Sequence, residues 1–208
     1  TSEGEAVEFD VLSFFAPGMA LMFLMYTVSY GGRSILAEKS EGTLPRLLVS
    51  PTNTIQVLGG KVFGIFLTGA AQMLILIGAS SLFFRLNWGN AFGVVLLTLA
   101  AVFGATGWGM LITALARTPA QVGSVGSAVM LIFAMLGGRF SQTDNMPAFV
   151  QTFGKITPTA WPMNGFTTLA LGGTLTPLST PIVALLTMGI SLLLLSAVLF
   201  GKKNLVQK

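Results

Sequence analysis

The chain of 208 residues is 53% hydrophobic and 9% charged, with a mean hydropathy of +0.81, whereas soluble domains carry roughly 25% charged residues. That composition excludes a water-soluble core and makes the apolar helix of about 20 residues, long enough to cross roughly 30 Å of hydrocarbon, the unit to count. The formal charge of +4 is scattered between apolar runs, so it marks membrane orientation rather than nucleic-acid binding, and the lack of cysteine and histidine removes disulfides, thiolate nucleophiles and the usual zinc ligands.

Residues 1–10 carry Glu3, Glu5, Glu8 and Asp10 with no basic leader, and read as the end of an external segment that continues upstream. Charge-free runs follow at 11–32, 62–84, 86–116, 118–138 and 156–201. The third starts on the polar Asn87-Trp88-Gly89-Asn90, which trims its helix to about 92–115. The last is interrupted by Pro158, Pro162, Gly172, Gly173, Pro177 and Pro181, leaving a short helix over about 161–171 that dips without crossing and one full span over about 182–200. The expected architecture is an all-α polytopic bundle, a transmembrane domain over 11–208. It has about five spans (12–32, 62–84, 92–115, 119–138, 182–200), an inner segment 33–61 and an outer re-entrant region 139–181.

Five crossings place Arg33, Lys39, Arg46, Lys61, Arg117, Lys202, Lys203 and Lys208 on one side and Arg85, Arg139 and Lys155 on the other. By the positive-inside rule, eight against three sets the C-terminus in the cytoplasm. On the outer side Met146, Phe149, Val150, Phe153 and Ile156 recur at helical spacing behind Asp144 or Asn145 and Pro147. They predict a short amphipathic helix that covers the bundle rim or gates exit.

No Lys, Arg, Asp or Glu falls deep in a predicted span, where such a charge would mark an ion or proton path. Gln72 is the main strongly polar residue near a span centre, and either bonds helix to helix or touches substrate. There is no G-x-S-x-G, and around Gly60-Lys61 the phosphate-loop pattern fails, with Ile55 and Val62 in place of its glycine and hydroxyl. No catalytic or metal site can be assembled, so the chain is read as a non-enzyme. Small pairs such as Gly60 with Gly64 and Ala105 with Gly109 allow close helix approach, within one bundle or across a homodimer.

The inner segment is the most informative. Its charges alternate from Arg33 through Glu38, Lys39 and Glu41 to a break at Gly42, after which Leu44, Leu47 and Leu48 form an apolar stripe ending at Pro51. This predicts a bent amphipathic hairpin at the inner surface, with Gly42 as C-cap, that anchors to the membrane or docks a cytoplasmic partner.

Glu38 with Glu41-Gly42-Thr43-Leu44, then Leu47-Leu48-Val49-Ser50-Pro51 and Gly60-Lys61, resembles the signature of type-2 ABC (ATP-binding cassette) exporter permeases. Phe15-Ala16-Pro17-Gly18, Arg117-Thr118-Pro119-Ala120-Gln121, Met146-Pro147 and the Pro158 to Pro162 stretch extend the resemblance over nearly the whole chain. Pro45 departs from the acidic residue expected after Glu-Gly-Thr-Leu. The resemblance implies a six-helix subunit of the cytoplasmic membrane, paired with a second permease copy or paralogue and with cytoplasmic ABC ATPases that hold the ATP and magnesium. Coupling to the ATPase would fall to Glu38, Glu41, Gly42, Thr43, Leu44 and Pro51. A drug, lipid or other amphiphile would be exported. The alternatives are an ATP-independent secondary transporter or channel, which calls for charges in the spans or inverted repeats, and a membrane scaffold.

Overall fold

A computed structural model describes residues 11–42, 54–137, 154 and 156–202. Its long helices are α1 (Val11–Ser40), α2 (Thr54–Phe84), α3 (Ala91–Leu115), α4 (Pro119–Gly137) and α6, which spans Ser179–Lys202. A short α5 (Ala160–Ala170) and one 3-10 turn (Thr176–Leu178) precede α6, and no strand occurs among the described residues.

Helix ends follow local chemistry. Asn90 caps α3 by accepting from the Gly93 N–H at 3.1 Å. At the start of α4 Thr118 accepts from the Gln121 N–H at 3.2 Å, while the Gln121 amide oxygen accepts from the Arg117 N–H at 2.7 Å. Two donors that have no partner inside the helix are thereby satisfied reciprocally. The sharp link between α2 and α3 needs left-handed backbone at Arg85 (φ 53°) and Gly89 (φ 85°), and is pinned by the Trp88 indole N–H donating to Ser80 Oγ at 3.0 Å.

Glycine contacts fix the directions of the helices. Gly31 of α1 abuts Ile65 of α2, while Gly69 abuts Leu24, so these two run antiparallel. Gly109 of α3 meets Val28, and Thr113 meets Gly32, so α1 and α3 run parallel. A Cβ on Gly104 would lie 3.3 Å from the Leu185 carbonyl, and one on Gly107 only 3.0 Å from that of Gly189, which sets α6 parallel to α3 at backbone contact. Gly126 of α4 meets Ser29, antiparallel to α1. Close approach of this kind is how helices gain packing energy in lipid, where no hydrophobic drive separates one apolar surface from another.

Helix α5 is too short to cross a bilayer. It has 11 residues, about 16 Å of helix, and packs Gly165 on Leu97 and Leu169 near Gly93. Phe166 stacks edge-on against Trp88 at 5.4 Å. It is therefore lodged against the start of α3, and the chain leaves it at the end where α4 finished, because Gly137 touches Thr157 and Thr159 and Leu178 touches Gly93. The chain dips and returns.

The core is apolar: Leu21, Leu24, Met25, Met73, Leu97, Val102, Met163 and Phe166 are essentially inaccessible. The outer surface is equally apolar, with Phe63, Ile75, Leu82, Phe92, Ile190 and Leu194 exposed. Apolar residues inside and out, with helices and no strand among the described residues, define an all-α membrane bundle. By length and apolarity three helical stretches among the described residues can cross a bilayer, Gln56–Phe84, Ala91–Leu115 and Thr176–Gly201; the apolar part of α4, Pro119–Phe133, is shorter.

Candidate functional site: the seam between α1 and α2

Of the residues singled out in the sequence, Glu38, Glu41, Gly42 and Gln72 are among the described ones, and Glu38 and Gln72 lie on the seam between α1 and α2. Helix α1 passes through Gly31 and Gly32 unbroken and ends at Ser40. The Glu41 N–H donates to the Ala37 carbonyl at 2.9 Å, and the Gly42 N–H to the Lys39 carbonyl at 3.3 Å. Gly42 then turns left-handed at φ 71°, the C-cap geometry that the glycine break predicts. The inner segment is thus not a separate helix at its start but the continuation of α1. Likewise α2 begins at Thr54, so Gly60-Lys61 lies about two turns inside the helix rather than at its opening.

That extension brings Lys61 opposite Glu38. Their Nζ and Oε2 atoms are 2.5 Å apart, with the side chains 21% and 32% exposed, closing the two helices across 23 positions of sequence. Further along the seam the Thr27 hydroxyl donates to the Gln72 amide oxygen, the helix-to-helix bond expected of Gln72. Thr43, Leu44 and Pro51, and the outer amphipathic segment at 144–153, lie outside the described residues. Gly60 and Gly64 face outward, so that a Cβ added at either would meet nothing within 4 Å, whereas Gly109 is wedged on Val28. Of the two small pairs, the one containing Gly109 serves the bundle.

Between the Glu38–Lys61 and Thr27–Gln72 links lies a groove of about 510 Å³, lined on α1 by Phe23, Tyr26, Tyr30 and Ser34 and on α2 by Ile65 and Thr68. A smaller hollow of about 200 Å³ on the other side of α1 shares Tyr26 and Tyr30 and reaches Arg33 and Ser127. Sequence reasoning fixed on Gln72 and missed its neighbours. Their signal was available: Tyr26, Thr27, Tyr30 and Ser34 form a polar stripe at three- and four-residue spacing on an otherwise apolar helix.

One ion pair and one half-buried hydrogen bond thus join α1 and α2 beside a polar groove. Residues 3–198 match the family described as "ABC-2 family transporter protein". The chain is 29% identical over 158 residues to the linearmycin resistance permease protein LnrN of Bacillus subtilis, covering 76% of this chain and 41% of that one. It is 29% identical over 128 residues to the probable multidrug ABC transporter permease YbhR of Escherichia coli, covering 60% and 34%. With the inner membrane transport permease YadH of Escherichia coli it shares 30% identity over 185 residues, covering 85% and 70%. No solved structure matches. The chain belongs to the ABC-2 transporter family, and it spans about two fifths and one third of the length of LnrN and YbhR.

Proposed function

We propose that this chain is the membrane-spanning part of an ATP-driven export permease that moves a drug, lipid or other amphiphile out across the cytoplasmic membrane. The observation that carries the reading is the continuity of α1 from the bundle to the Gly42 turn, with Glu38 held to Lys61: a push on the 33–61 segment reaches the spans through unbroken helix. ATP and magnesium belong to a cytoplasmic ABC ATPase, which docks on Glu38, Glu41, Gly42, Thr43, Leu44 and Pro51, and a second permease copy or paralogue completes the complex. This chain performs no hydrolysis. ATP-driven closure of the partner shifts the bundle between inward- and outward-facing states, to the extent that the partner binds one of them better. The C-terminus lies in the cytoplasm, on the side rich in Lys and Arg. Resistance and multidrug transport, in the names of LnrN and YbhR, favour efflux of a harmful amphiphile, and Gln72 stands beside its path.

The test uses the absence of cysteine. In the full-length protein Thr43→Cys is co-expressed with the ATPase encoded beside it, carrying engineered cysteines. A crosslink whose yield changes with ATP is expected. Labelling of Thr43→Cys only from outside the cell, or no crosslink at any ATPase position, would overturn the proposal.

A further inference from the structure

We infer that the groove between α1 and α2 is a binding site for an uncharged amphiphile with a donor-rich, polyhydroxylated head, taken up laterally from the lipid. The inference deepens the export reading and rests on it. The groove's volume of about 510 Å³ falls in the range of small-molecule sites, roughly 300–1,000 Å³. Its position is the first oddity. The surface around it is hydrocarbon-facing, with Phe63 60% and Leu67 50% exposed, yet Tyr30 is 68% exposed in its wall, beside Ser34 and Thr68. Tyr30 and Ser34 flank Arg33 at the inner end of the apolar run, so the groove runs from the level of the tails toward that of the headgroups, where the head of a lipid-borne molecule would meet these hydroxyls.

The hydrogen bonds define the partner. Three hydroxyls of the wall have already spent their protons inside the protein: Thr68 donates to the Gly64 carbonyl at 2.9 Å, Ser34 to the Gly31 carbonyl at 2.7 Å and Thr27 to Gln72. What these three oxygens offer a ligand is lone pairs, which suit a head rich in donors, while the Tyr26 and Tyr30 hydroxyls in the same lining can accept as well as donate. Charge selects against ions of both signs. Among the described residues the one cation in the lining, Lys61, is already held by Glu38 at 2.5 Å, and no carboxylate of the described residues lines the groove to receive an ammonium head. The rings of Phe23, Tyr26 and Tyr30 supply an apolar wall for the tail. Depth is provided by Gly64, where a Cβ would meet nothing within 4 Å.

The full-length protein with its ATPase is placed in lipid nanodiscs and labelled with an alkyl maltoside carrying a diazirine in its tail, and the labelled peptides are mapped by mass spectrometry. Labelling is expected on α1 near Tyr26 and Tyr30 and on α2 near Thr68. Unlabelled maltoside should compete at least tenfold better than an alkyl polyoxyethylene ether, trimethylammonium or sulfate of the same chain length. Gly64→Phe, which fills the groove from the open side, should cut labelling at least tenfold. Gly78→Phe, at an equally open position on α2 outside the lining, should leave it unchanged, with equal melting temperatures for both variants. Undiminished labelling in Gly64→Phe, as when a second copy covers the groove, or equal competition by the ammonium analogue, overturns the site. Labelling that falls during ATP turnover identifies exported cargo, and constant labelling a resident lipid; both uphold it. The Thr43→Cys crosslink, measured in the same samples, separates failure of the groove from failure of the export reading.

Discussion

The ion pair between Glu38 and Lys61 is the most direct handle on the seam. Exposed pairs contribute 0.2–1 kcal/mol in double-mutant cycles; with only 21% and 32% of these side chains exposed and the charged atoms 2.5 Å apart, the coupling belongs at the upper end, about 1 kcal/mol, roughly fivefold in an equilibrium constant. Glu38→Ala and Lys61→Ala should each lower the melting temperature of the purified complex by about 2–4 °C, using the scale for chains of this size. The double variant should fall by less than the sum of the two, because the second change acts on a pair that the first has already broken. Glu38→Lys combined with Lys61→Glu should recover at least half the loss, whereas either reversal alone should be worse than alanine. In the reconstituted complex the same series should reduce substrate-stimulated ATPase activity, with rescue in the swap. Strict additivity of the two alanine changes, in melting and in ATPase stimulation alike, would refute the pairing as the link between the helices.

Changes at four further positions probe the rest of the fold. Gly107→Ala puts a Cβ 3.0 Å from the Gly189 carbonyl oxygen and 3.1 Å from its Cα, backbone atoms that cannot swing aside, so a loss of about 1–3 kcal/mol is expected. Gly64→Ala, with open space around it, should melt no lower than the parent, since alanine is favoured over glycine in a helix by about 1 kcal/mol; thermal denaturation in detergent reads both. Gln72→Leu should cost about 0.6 kcal/mol, the mean for interhelical hydrogen bonds in a bilayer, and a transport defect much larger than that loss would place Gln72 on the substrate path. Gly42→Ala forces a Cβ into left-handed backbone at φ 71°, at a cost of about 1–2 kcal/mol. Gly42→Asn should restore coupled ATPase activity more fully than Gly42→Ala.

Much of this was legible because membrane helices announce themselves by long apolar runs and by the residues that end them. Asn90 and Thr118 with Gln121 are caps that can be read directly, and Gly42 stops α1 where the glycine break indicates. The helices run past the span bounds at 32 and 62 for a physical reason: charge marks where the hydrocarbon stops, not where the helix stops, and Arg33 through Ser40 continue α1. The ion pair was hidden for the same reason, since Lys61 comes opposite Glu38 only when both helices overrun the apolar region. The pairing of Gly107 with Gly189 could not be read, because small residues at helical spacing are abundant and which pair meets depends on tertiary packing.

The overrun of α1 has a mechanical consequence for the export reading. At about 1.5 Å per residue the 30 residues of α1 extend some 45 Å, against roughly 30 Å of hydrocarbon. A close restraint on it is the crossing on α3, where Gly32 receives the Thr113 side chain and Gly109 receives that of Val28. From Gly32 to Ser40 is eight residues, about 12 Å, and from Gly32 back to Val11 is 21 residues, about 32 Å. A rigid α1 tilting about that crossing therefore multiplies a displacement at its short arm by 32/12, about 2.7, at the far end. A push of about 1 Å by the partner becomes nearly 3 Å on the opposite side, comparable to the helix shifts that accompany switching in other bundles. The groove adjoins the fulcrum, where Tyr30 and Gly31 move least, and its other wall on α2 is tied to the short arm through Lys61. Tilting then changes the width of the groove's open side while leaving its floor in place, so one motion serves both release of a bound amphiphile and opening of the far end.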